Sequence, residues 1–432
     1  MKRVVAVAVS GGRDSMALLH CAARMATPLD VRVVALHVHH GLQPQAGQWA
    51  HHIERTCARW ASRGLHLGFA MRRLEGRPAR GDSLEAWARA GRYRALADMA
   101  RDEGASLILL AHHRADQAET FLLQALRGAG TAGLAAMPRQ AMREGLTWAR
   151  PWLNLPREAL QAYARRHRIA YVDDPSNADA RYARSRLRHD VMPGLLAAFP
   201  EAESAFAASA AESARAQVLL DEVGDDDLRH IVDDVAIVLR DWEALTAARR
   251  RNALRRWLHR QVGQRAGAAW LDRLMDEVAA SSGPATWEVG GLRIHRYRGR
   301  LTVEEGGATP HAQVRPLSLS GAPEMLPLSV VPSGLGEAGM PRALLEGATW
   351  RSRRGDDRFQ RAPGTPPRGL KKQFQLAAVP PWARTLPVLV AADGRLLYVP
   401  GLGTDARAMS EPGQPRVSLR WGGAPDATNS GQ

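Results

Sequence analysis

The chain has 432 residues, of which 45% are hydrophobic, and this length favours two or three domains rather than one. Its formal net charge of +15 favours a polyanionic partner, above all nucleic acid, although a genome rich in arginine codons could give the same balance. Its two cysteines form no CxxC pair, which excludes a thiolate zinc site and a dithiol redox motif. The sequence has no run of about 18 apolar residues, which excludes a membrane-spanning helix and makes the cytoplasm the expected location.

Strands and helices alternate along the first part of the chain. Residues 4–9 form a continuous apolar, β-branched run, which is typical of a buried parallel strand. After a Ser-Gly-Gly break, residues 14–25 carry apolar side chains at helical spacing. This alternation predicts a Rossmann-like α/β fold, in which helices cover both faces of a parallel sheet. Further strands are predicted at residues 31–38, 65–71 and 107–111, and further helices at residues 45–63, 83–103 and 116–127.

The pattern changes after residue 200, where segments rich in alanine and arginine predict a mainly helical middle domain. Its helices are expected at residues 201–220, 242–261 and 271–280, and strands return at residues 286–303. Residues 306–339 are rich in Pro, Gly and Ser and predict a linker with room for short strands. Short strands at residues 386–390 and 396–399 predict a small α+β C-terminal domain. The predicted domains are residues 1–200, 201–305 and 340–420, and the tail 422–432 is expected to be disordered.

The first strand runs into the sequence Ser-Gly-Gly-Arg-Asp-Ser at residues 10–15, and a helix follows. Glycines let the backbone approach a phosphate closely, and the free amides of a first helical turn attract an anion. Ser10 and Ser15 add hydroxyl donors, and the Asp14 carboxylate suits a magnesium ion that bridges phosphates. No lysine follows the glycines, so this is not a Walker A loop. The alternative to phosphate binding is a tight turn in which Asp14 and Ser15 cap the helix.

This loop resembles the pyrophosphatase loop (PP-loop) of the N-type ATP enzymes, which split ATP between its α- and β-phosphates and adenylate an acceptor oxygen. Later segments resemble the tRNA(Ile)-lysidine synthase family in order and spacing. His-His-Gly-Leu at residues 39–42 is similar to a family segment that lies beside the nucleotide. Residues 85–93 resemble a family helix, on which Arg89 and Arg92 share one face. The alternatives are solvated histidines at a strand end and a solvated basic helix face.

Residues 111–120 resemble the family's Asp-Asp-Gln-x-Glu-Thr motif, except that Ala115 replaces the first Asp. Asp116 and Glu119 remain, three positions apart at the start of a helix, so that they project together. They are candidates for holding magnesium or for binding the ammonium groups of a lysine substrate. The alternative is that the Asp-x-x-Glu spacing acts as a reciprocal helix cap.

Two arginine-rich regions complete the resemblance. Residues 173–177 lead to residues 181–189, where Tyr182 and Ser185 replace the family's usual Phe and Asn. The four arginines of this region suit contacts with phosphate or an RNA backbone. Residues 351–359 resemble the family's Arg-x-Arg-x-Gly-Asp-Arg-Phe motif with one extra Asp, in a module that helps that family recognise the tRNA acceptor stem. Lys371, Lys372 and residues 379–384 and 399–401 follow in the family's order.

The resemblance implies a ligase that uses ATP to adenylate O2 of the wobble cytidine in an isoleucine tRNA with a CAU anticodon. Free L-lysine then attacks C2 with its ε-amino group and expels AMP, which leaves lysidine. ATP and Mg²⁺ are the implied cofactors; the first domain is expected to be catalytic and the other two to hold the tRNA. The sequence leaves the oligomeric state open, a homodimer being one alternative.

The resemblance also assigns site residues. The catalytic groups are predicted to be Asp14, Asp116, Glu119 and Arg184. The nucleotide is assigned to Ser10, Gly11, Gly12, Arg13, Asp14, Ser15 and His39, with Asp14 also the metal ligand. The tRNA or lysine substrate is assigned to Arg89, Arg92, Arg188, Arg353, Arg358, Lys371 and Lys372.

Two other functions stay open at the level of sequence. A tRNA thiolase of the same superfamily would need cysteines to carry sulfur or an iron–sulfur cluster, whereas Cys21 and Cys57 lie in apolar-periodic stretches typical of buried positions. A non-catalytic RNA-binding protein that retains a nucleotide fold stays open as a minor alternative because of the departures at Ala115 and Ser185. Release of AMP that depends on both lysine and tRNA separates the three functions.

Overall fold

The structure is a computed structural model, and it describes residues 3–39, 45–74, 76, 84–172, 183–263, 267–289, 292–305, 315–316, 328–332, 339–409 and 416–421. The chain forms two compact units, Met1–Val223 and Gly224–Gln432. Within the ranges described, none of the helices is both long enough and apolar enough to cross a membrane.

A six-stranded, mostly parallel sheet forms the centre of the first unit, in the order β3-β2-β1-β4-β6-β5. Strands β1 to β4 and β6 run parallel to their neighbours, and β5 runs antiparallel to β6. The predicted Rossmann-like fold class is thereby confirmed. The strands are β1 Val4–Ala8, β2 Arg32–His39, β3 Leu67–Arg73, β4 Leu107–Leu109, β5 Gln140–Arg143 and β6 Leu146–Ala149. The helices are α1 Arg13–Ala26, α2 Ala46–Ala61, α3 Leu84–Asp102, α4 Arg114–Ala125, α5 Thr131–Leu134, α6 Arg157–Arg166, α7 Ala183–Arg186, α8 Met192–Ala198 and α9 Ala202–Ile231.

Consecutive residues of β2 point to opposite faces of this sheet, as the strand period requires. Val33 is part of the core that α1 and α2 cover with Met16 and Ile53. Val34 is part of the other core, which α3 covers with Leu96. Because both faces are buried at its centre, the central strands β1 and β4 are apolar, and the carboxyl ends of the parallel strands are where a ligand finds polar groups.

The hairpin β5–β6 was absent from the sequence-based assignment of strands. Each strand has four residues, which is too short for a clear period of two. Its two-residue turn has a positive φ at both positions, 53° at Glu144 and 75° at Gly145, as a type I′ turn requires. Glu-Gly is a weaker hairpin signal than Asn-Gly or Asp-Gly, which explains why the sequence did not reveal it.

The second unit begins within α9 and contains the later part of the predicted helical region. Its helices α10 Leu239–Glu243, α11 Ala247–Val262 and α12 Ala268–Ala280 share a core with a five-stranded sheet. The single helix predicted at residues 242–261 is wrong, because α11 starts afresh where Thr246 Oγ1 accepts the Arg249 amide at 3.5 Å. The sheet has the order β7-β8-β11-β10-β9 and comprises β7 Val232–Asp233, β8 Ala236–Val238, β9 Ala285–Val289, β10 Leu292–Tyr297 and β11 Arg300–Glu305.

Short antiparallel strands and helix α13 Leu370–Leu376 form the C-terminal part of the second unit. Two strands, β12 Arg315–Pro316 and β13 Leu328–Pro332, lie in the segment predicted as a linker. The rest of that linker and the tail 422–432 lie outside the described residues. The other strands are β14 Met340–Pro341, β15 Thr349–Arg351, β16 Arg358–Phe359, β17 Arg368–Gly369, β18 Val388–Val390, β19 Leu396–Val399, β20 Gly403–Thr404 and β21 Arg416–Trp421.

Candidate functional site

The loop between β1 and α1 exposes the amides of the first turn of α1. Gly11 has a φ of +91°, in the region that favours glycine, and a Cβ there would lie 3.4 Å from Ile53 Cδ1. Gly12 is the N-cap of α1, and no side chain of the described residues caps it. The first-turn amides therefore remain free to bind an anion, and the cap formed by Asp14 or Ser15 that the sequence left open is not found.

The two serines of the loop shape its backbone. The Ser15 hydroxyl donates to the Gly12 carbonyl at 2.9 Å and accepts the Ser10 amide at 3.2 Å. Ser10 Oγ accepts the Gly12 amide at 3.3 Å and lies 3.2 Å from Ser15 Oγ. Because Ser15 uses its proton on the backbone, Ser10 is the better placed of the two to donate to a ligand.

A cavity of about 350 Å³ opens beside this loop. Ser10, Gly12 and Asp14 line it on the loop side, and Arg92 and Arg188 bring two of the predicted arginines to it. Further lining comes from Arg13, Ser15, His112 and Arg157. The cavity thus joins an anion-binding loop to cationic side chains from three other segments of the first unit.

His113 connects the loop to the start of α4. Its Nε2 lies 3.6 Å from Asp14 Oδ2 and 3.5 Å from Asp116 Oδ2, and the residue is 4% exposed. Burial opposes protonation of His113, but contact with Asp14 and the charges of both carboxylates outweigh it and raise its pKa. Burial also opposes the charged form of Asp14, which would raise its pKa. The hydrogen bonds and charges of His113 and Arg13 outweigh this effect and hold the pKa of Asp14 below its usual value. Asp14 is therefore ionised at neutral pH.

Asp116 has a structural role as well as a place in the site. Its Oδ2 accepts the backbone amide of His113, the N-cap of α4, at 3.0 Å. Its Oδ1 lies 3.4 Å from Arg188 Nη2. The sequence offered a reciprocal cap between Asp116 and Glu119 as the alternative, but the cap found joins Asp116 to the His113 amide instead, and the same carboxylate also contacts an arginine of the cavity.

Glu119 lies one turn further along α4 and is 3% exposed. Arg188 binds it with both arms of its guanidinium, Nε to Oε1 at 2.6 Å and Nη2 to Oε2 at 2.8 Å. Arg184 Nε lies 3.2 Å from Oε2, and Arg184 also donates to Thr120 Oγ1. The structure therefore brings the predicted Asp116, Glu119, Arg184 and Arg188 together.

Arg188 belongs to a five-residue π-helical segment, Leu187–Val191, which separates α7 from α8. Single π-turns are rare and are frequent at functional sites, because they turn side chains out of the regular helical register. Burial opposes the charge of Arg188, but Glu119, Asp116 and Asp14 outweigh it and raise the pKa of Arg188. The neighbouring residues 173–182, which include Tyr182 and the predicted Asp-Asp-Pro-Ser-Asn segment, lie outside the described residues.

The remaining predicted residues of the first unit lie around this centre. Arg89 is exposed, and its guanidinium lies 5.3 Å from the centre of the Tyr93 ring, against 5.9 Å for Arg92. His39 ends β2, and its Nδ1 is buried without a hydrogen-bond partner in the described structure. It is not among the residues that line the cavity. His40, Gly41 and Leu42 lie outside the described residues.

Four residues of the site were not predicted from the sequence: His112, His113, Arg150 and Arg157. The two histidines stand in the segment 111–120, so their position next to Asp116 was the available signal. Arg150 is 7% exposed, and its Nε donates to His112 Nδ1 at 3.2 Å. Arg150 and Arg157 follow β6, whose pairing with β4 was not foreseen, and this explains why no sequence signal pointed to them.

His112 is expected to make the folded state sensitive to acid. Burial lowers its pKa to about 4, from an ordinary value of 6.5. Since His112 is neutral in the folded chain and charged when unfolded, its contribution is complete above pH 6.5 and is lost as the pH falls towards 4. Replacing it in His112→Asn, which keeps an acceptor for Arg150, should flatten the dependence of unfolding free energy on pH by about 1.4 kcal/mol per pH unit.

Urea unfolding of both chains at several values between pH 4 and 6.5 measures this difference. The titration of His20, whose pKa burial also lowers to about 4, is common to both proteins and cancels. Parallel curves would show that His112 is not neutral in the folded protein.

The predicted C-terminal residues lie on adjoining segments of the second unit. Arg353, Arg358, Lys371 and Lys372 are all exposed. Arg358 pairs in register with Gly369, which is the N-cap of α13, and Lys371 and Lys372 stand in the first turn of that helix. The guanidinium of Arg353 lies 6.0 Å from the centre of the Phe374 ring.

Two buried aspartates hold this C-terminal surface in place. Asp357 is 9% exposed; it accepts Arg351 Nη2 at 2.5 Å and the Arg354 amide at 2.6 Å. Asp405 is fully buried and binds Arg407 through Nε at 2.9 Å. Asp357 is thus the structural member of the Asp-Asp pair, and the exposed Asp356 is the additional one.

Much of the positive charge of α11 is neutralised within the second unit. Its arginines pair with aspartates of α9 and α12, at distances of 2.5 to 2.9 Å. The net charge of the chain therefore overstates the cations of this helix that are free to contact a polyanion. The pairs are Arg249–Asp227, Arg251–Asp272, Arg256–Asp225 and Arg260–Asp225.

Asp14 suits a magnesium ion in the company of phosphates. Mg²⁺ commonly takes one or two carboxylates and completes its shell with phosphate oxygens and water. The described residues contain no group of three His, Cys, Asp or Glu able to hold a metal on its own. A single ionised carboxylate beside an anion-binding loop fits an ion that arrives with the nucleotide.

Comparisons with known proteins match all three parts of the chain. Residues 1–195 match the family model of a PP-loop domain, residues 238–302 that of the TilS substrate binding domain, and residues 348–421 that of the TilS substrate C-terminal domain. The chain is 40% identical to a tRNA(Ile)-lysidine synthase of Ralstonia nicotianae over 427 residues, which cover 94% of this chain and 90% of the relative.

Two further relatives carry the same name. That of Chromobacterium violaceum is 38% identical over 425 residues, 94% of this chain and 93% of its own length. That of Methylococcus capsulatus is 35% identical over 412 residues, 91% of this chain and 90% of its own length. Since these similarities extend over almost the whole of each protein, the resemblance seen in the motifs is confirmed, and the chain belongs to the tRNA(Ile)-lysidine synthase family of PP-loop ATP-dependent ligases.

Proposed function

We propose that the chain adenylates O2 of the wobble cytidine in an isoleucine tRNA with a CAU anticodon and then joins free lysine to C2, releasing AMP. The observation that carries this proposal is the series of contacts from the phosphate loop through Asp14 and His113 to Asp116 and Glu119. An ATP site and an acidic site suited to an amine thus adjoin each other, as a two-step ligation requires.

The loop would hold the phosphates of ATP. Free amides of α1 and the Ser10 hydroxyl offer donors for the β- and γ-phosphates, and the positive end of the helix favours their charge. Mg²⁺ at Asp14 would offset the charge that develops on the leaving pyrophosphate. The cytidine O2 attacks the α-phosphorus, the bond to the β-phosphate oxygen breaks, and pyrophosphate leaves.

Asp116 and Glu119 would bind the lysine. Their carboxylates attract its ammonium groups, and a carboxylate near the ε-amine would accept the proton that the amine loses. The amine forms the bond to C2, and the bond from C2 to the adenylated oxygen breaks with departure of AMP. The nucleophile comes from the substrate, so no cysteine or lysine of the enzyme is required for the chemistry.

For a lysine substrate to bind at Glu119, the guanidinium of Arg188 has to move away from that carboxylate. Its guanidinium occupies both oxygens of Glu119, which is where a lysine ammonium would bind. Phosphate groups of the tRNA or of ATP are alternative partners for an arginine fork. We therefore expect lysine to bind more tightly once these substrates are in place, which favours their binding first.

The C-terminal cations would hold the tRNA. Arg353→Ala/Arg358→Ala removes two of them and should weaken tRNA binding. The slope of the logarithm of the tRNA binding constant against the logarithm of the salt concentration should also become shallower, by about one for each phosphate that the variant no longer neutralises. Filter binding at several salt concentrations measures both quantities. The charge-matched control is Arg165→Ala/Arg166→Ala, whose two arginines are exposed in the last turn of α6, outside the two domains expected to hold the tRNA. An unchanged salt slope in the first variant would remove this surface from the RNA interface.

The two other functions fit the structure less well. Cys57 is 3% exposed, and burial raises its pKa to about 12, so it is poorly suited to carry sulfur as a thiolate. Cys21 is half-buried rather than fully buried as the sequence predicted, and it lies 3.9 Å from Met25 Sδ. A non-catalytic scaffold has no need for the ionised Asp14 or for a buried Glu119 beside an ATP loop.

The test is the release of AMP by the full chain with ATP, Mg²⁺, lysine and the isoleucine tRNA transcript. Omitting either lysine or tRNA should abolish AMP release, and replacing the wobble cytidine by uridine should do the same. Release of AMP without lysine would contradict the proposed ligation.

A further inference from the structure

Arg157 lines the ATP cavity, yet no motif in the sequence assigns it a role. It is the first residue of α6 and is half-buried. Its Nε is buried without a hydrogen-bond partner, and no carboxylate among the residues that the structure describes lies within ion-pair distance. A buried donor without a partner costs free energy, so such a group in a cavity is expected to find its partner in a ligand.

The charges around the cavity show which kind of ligand this is. Four arginines line it against one carboxylate, that of Asp14. Arg13 is paired with Asp14 at 3.0 Å, and Arg188 is paired with Glu119. Arg157 and Arg92 remain as positive charges without a described counter-ion. The cavity is therefore complementary to a polyanion.

The position of Arg157 indicates which part of the ligand it meets. Leu155, two residues before Arg157, accepts the backbone amide of Arg114 at 3.0 Å, so the start of α6 lies next to His113 at the start of α4. His113 in turn lies 3.6 Å from Asp14, the carboxylate of the phosphate loop. Arg157 is thus at the Asp14 end of the cavity, where the phosphates farthest from the nucleoside would lie.

We propose that Arg157 binds the pyrophosphate portion of ATP and stabilises its charge as it leaves. This inference rests on the proposed use of ATP at the loop. Arg157 forms charge-assisted hydrogen bonds with those β- and γ-phosphate oxygens that the loop amides do not bind. An arginine suits this role because its planar fork binds two phosphate oxygens at once.

The experiment compares the binding of inorganic pyrophosphate and of AMP to the full chain by calorimetry. Arg157→Ala should weaken pyrophosphate binding by about 10- to 100-fold, the loss expected for a hydrogen bond to a charged group, and leave AMP binding unchanged. Arg157→Lys should recover part of the affinity, since it restores the charge but lacks the fork. The control Arg166→Ala removes an exposed arginine from the last turn of the same helix and should change neither affinity.

Each other outcome overturns the proposal. Unchanged pyrophosphate binding in Arg157→Ala would show that Arg157 does not contact these phosphates, while the use of ATP would stand. An equal loss of AMP and pyrophosphate would place Arg157 at the α-phosphate, and a loss confined to tRNA binding would place it on the RNA backbone. If the unaltered chain binds neither pyrophosphate nor ATP, the proposed function fails together with this inference. Arg157→Lys keeps the test decisive if Arg157→Ala does not fold.

Discussion

Replacing Asp14 by Asn is expected to lower lysine- and tRNA-dependent release of AMP by about a thousandfold or more, without weakening tRNA binding. Asn has the same shape but cannot carry the charge that a magnesium ion and its phosphates require. The change also removes one of the two carboxylates that raise the pKa of His113, so the loop would lose its charged link to α4. Both effects act on the phosphate loop and leave the C-terminal cations proposed to hold the tRNA unchanged.

The measurement is single-turnover AMP release beside filter binding of the same tRNA. Glu212→Gln is the control, since that carboxylate is 70% exposed on α9 and pairs with its neighbour Arg215. Near-normal turnover of Asp14→Asn would refute the role given to Asp14. A parallel loss of tRNA binding would instead indicate that the substitution had disturbed the fold.

The phosphate loop was predictable because its geometry is local. A buried strand, two glycines and a helix start follow one another within a dozen residues, roughly the length over which local sequence signals act. The structure has the positive φ at Gly11 and the uncapped helix start at Gly12 that such a loop needs. What the sequence did not show is that Ser15 turns its hydroxyl towards the backbone, because that depends on the exact path of the chain.

The sequence predicted that Asp116 and Glu119 lie together on α4, but it did not predict which residues contact them. Residues three apart on a helix share a face, and this put Asp116 and Glu119 together. Their partners Arg184 and Arg188 come from a segment more than sixty residues away, so the pairing depends on tertiary packing. A helix cap and a functional site were alternatives for Asp116, whereas in the structure one of its oxygens accepts the His113 amide and the other contacts Arg188 of the cavity.

The charge of the chain was the least specific signal. A net charge of +15 favoured nucleic acid, and the arginine-rich α11 was the natural place to expect it. The structure pairs several of those arginines with aspartates, while the exposed cations of the C-terminal region stand on a loop, a two-residue strand and a seven-residue helix. Which arginines are free is decided by the acidic residues that fold next to them, and composition carries no information on this point.

Replacing Glu119 by Gln should separate the two halves of the proposed reaction. In the proposed reaction the loop, and not Glu119, binds the ATP phosphates, so tRNA-dependent release of pyrophosphate should continue. Lysine-dependent release of AMP should fall by about 10²- to 10³-fold, because the amine loses the carboxylate that binds and deprotonates it. The stability of the first unit should fall by about 1–2 kcal/mol, since Arg184 and Arg188 lose a buried partner but keep some access to water.

A control variant is needed that loses a similar amount of stability but keeps the carboxylate proposed to bind lysine. Glu203→Gln supplies it, because Glu203 forms a partly buried pair with Arg114 at 2.8 Å in the same unit and does not line the cavity. It should lower stability by a similar amount and leave the KM for lysine unchanged. If Glu119→Gln behaved in the same way, Glu119 would be an anchor for Arg184 and Arg188 and not a lysine site. A selective loss of the lysine step would instead mean that Arg188 holds, in the free enzyme, the place that the substrate ammonium takes during the reaction.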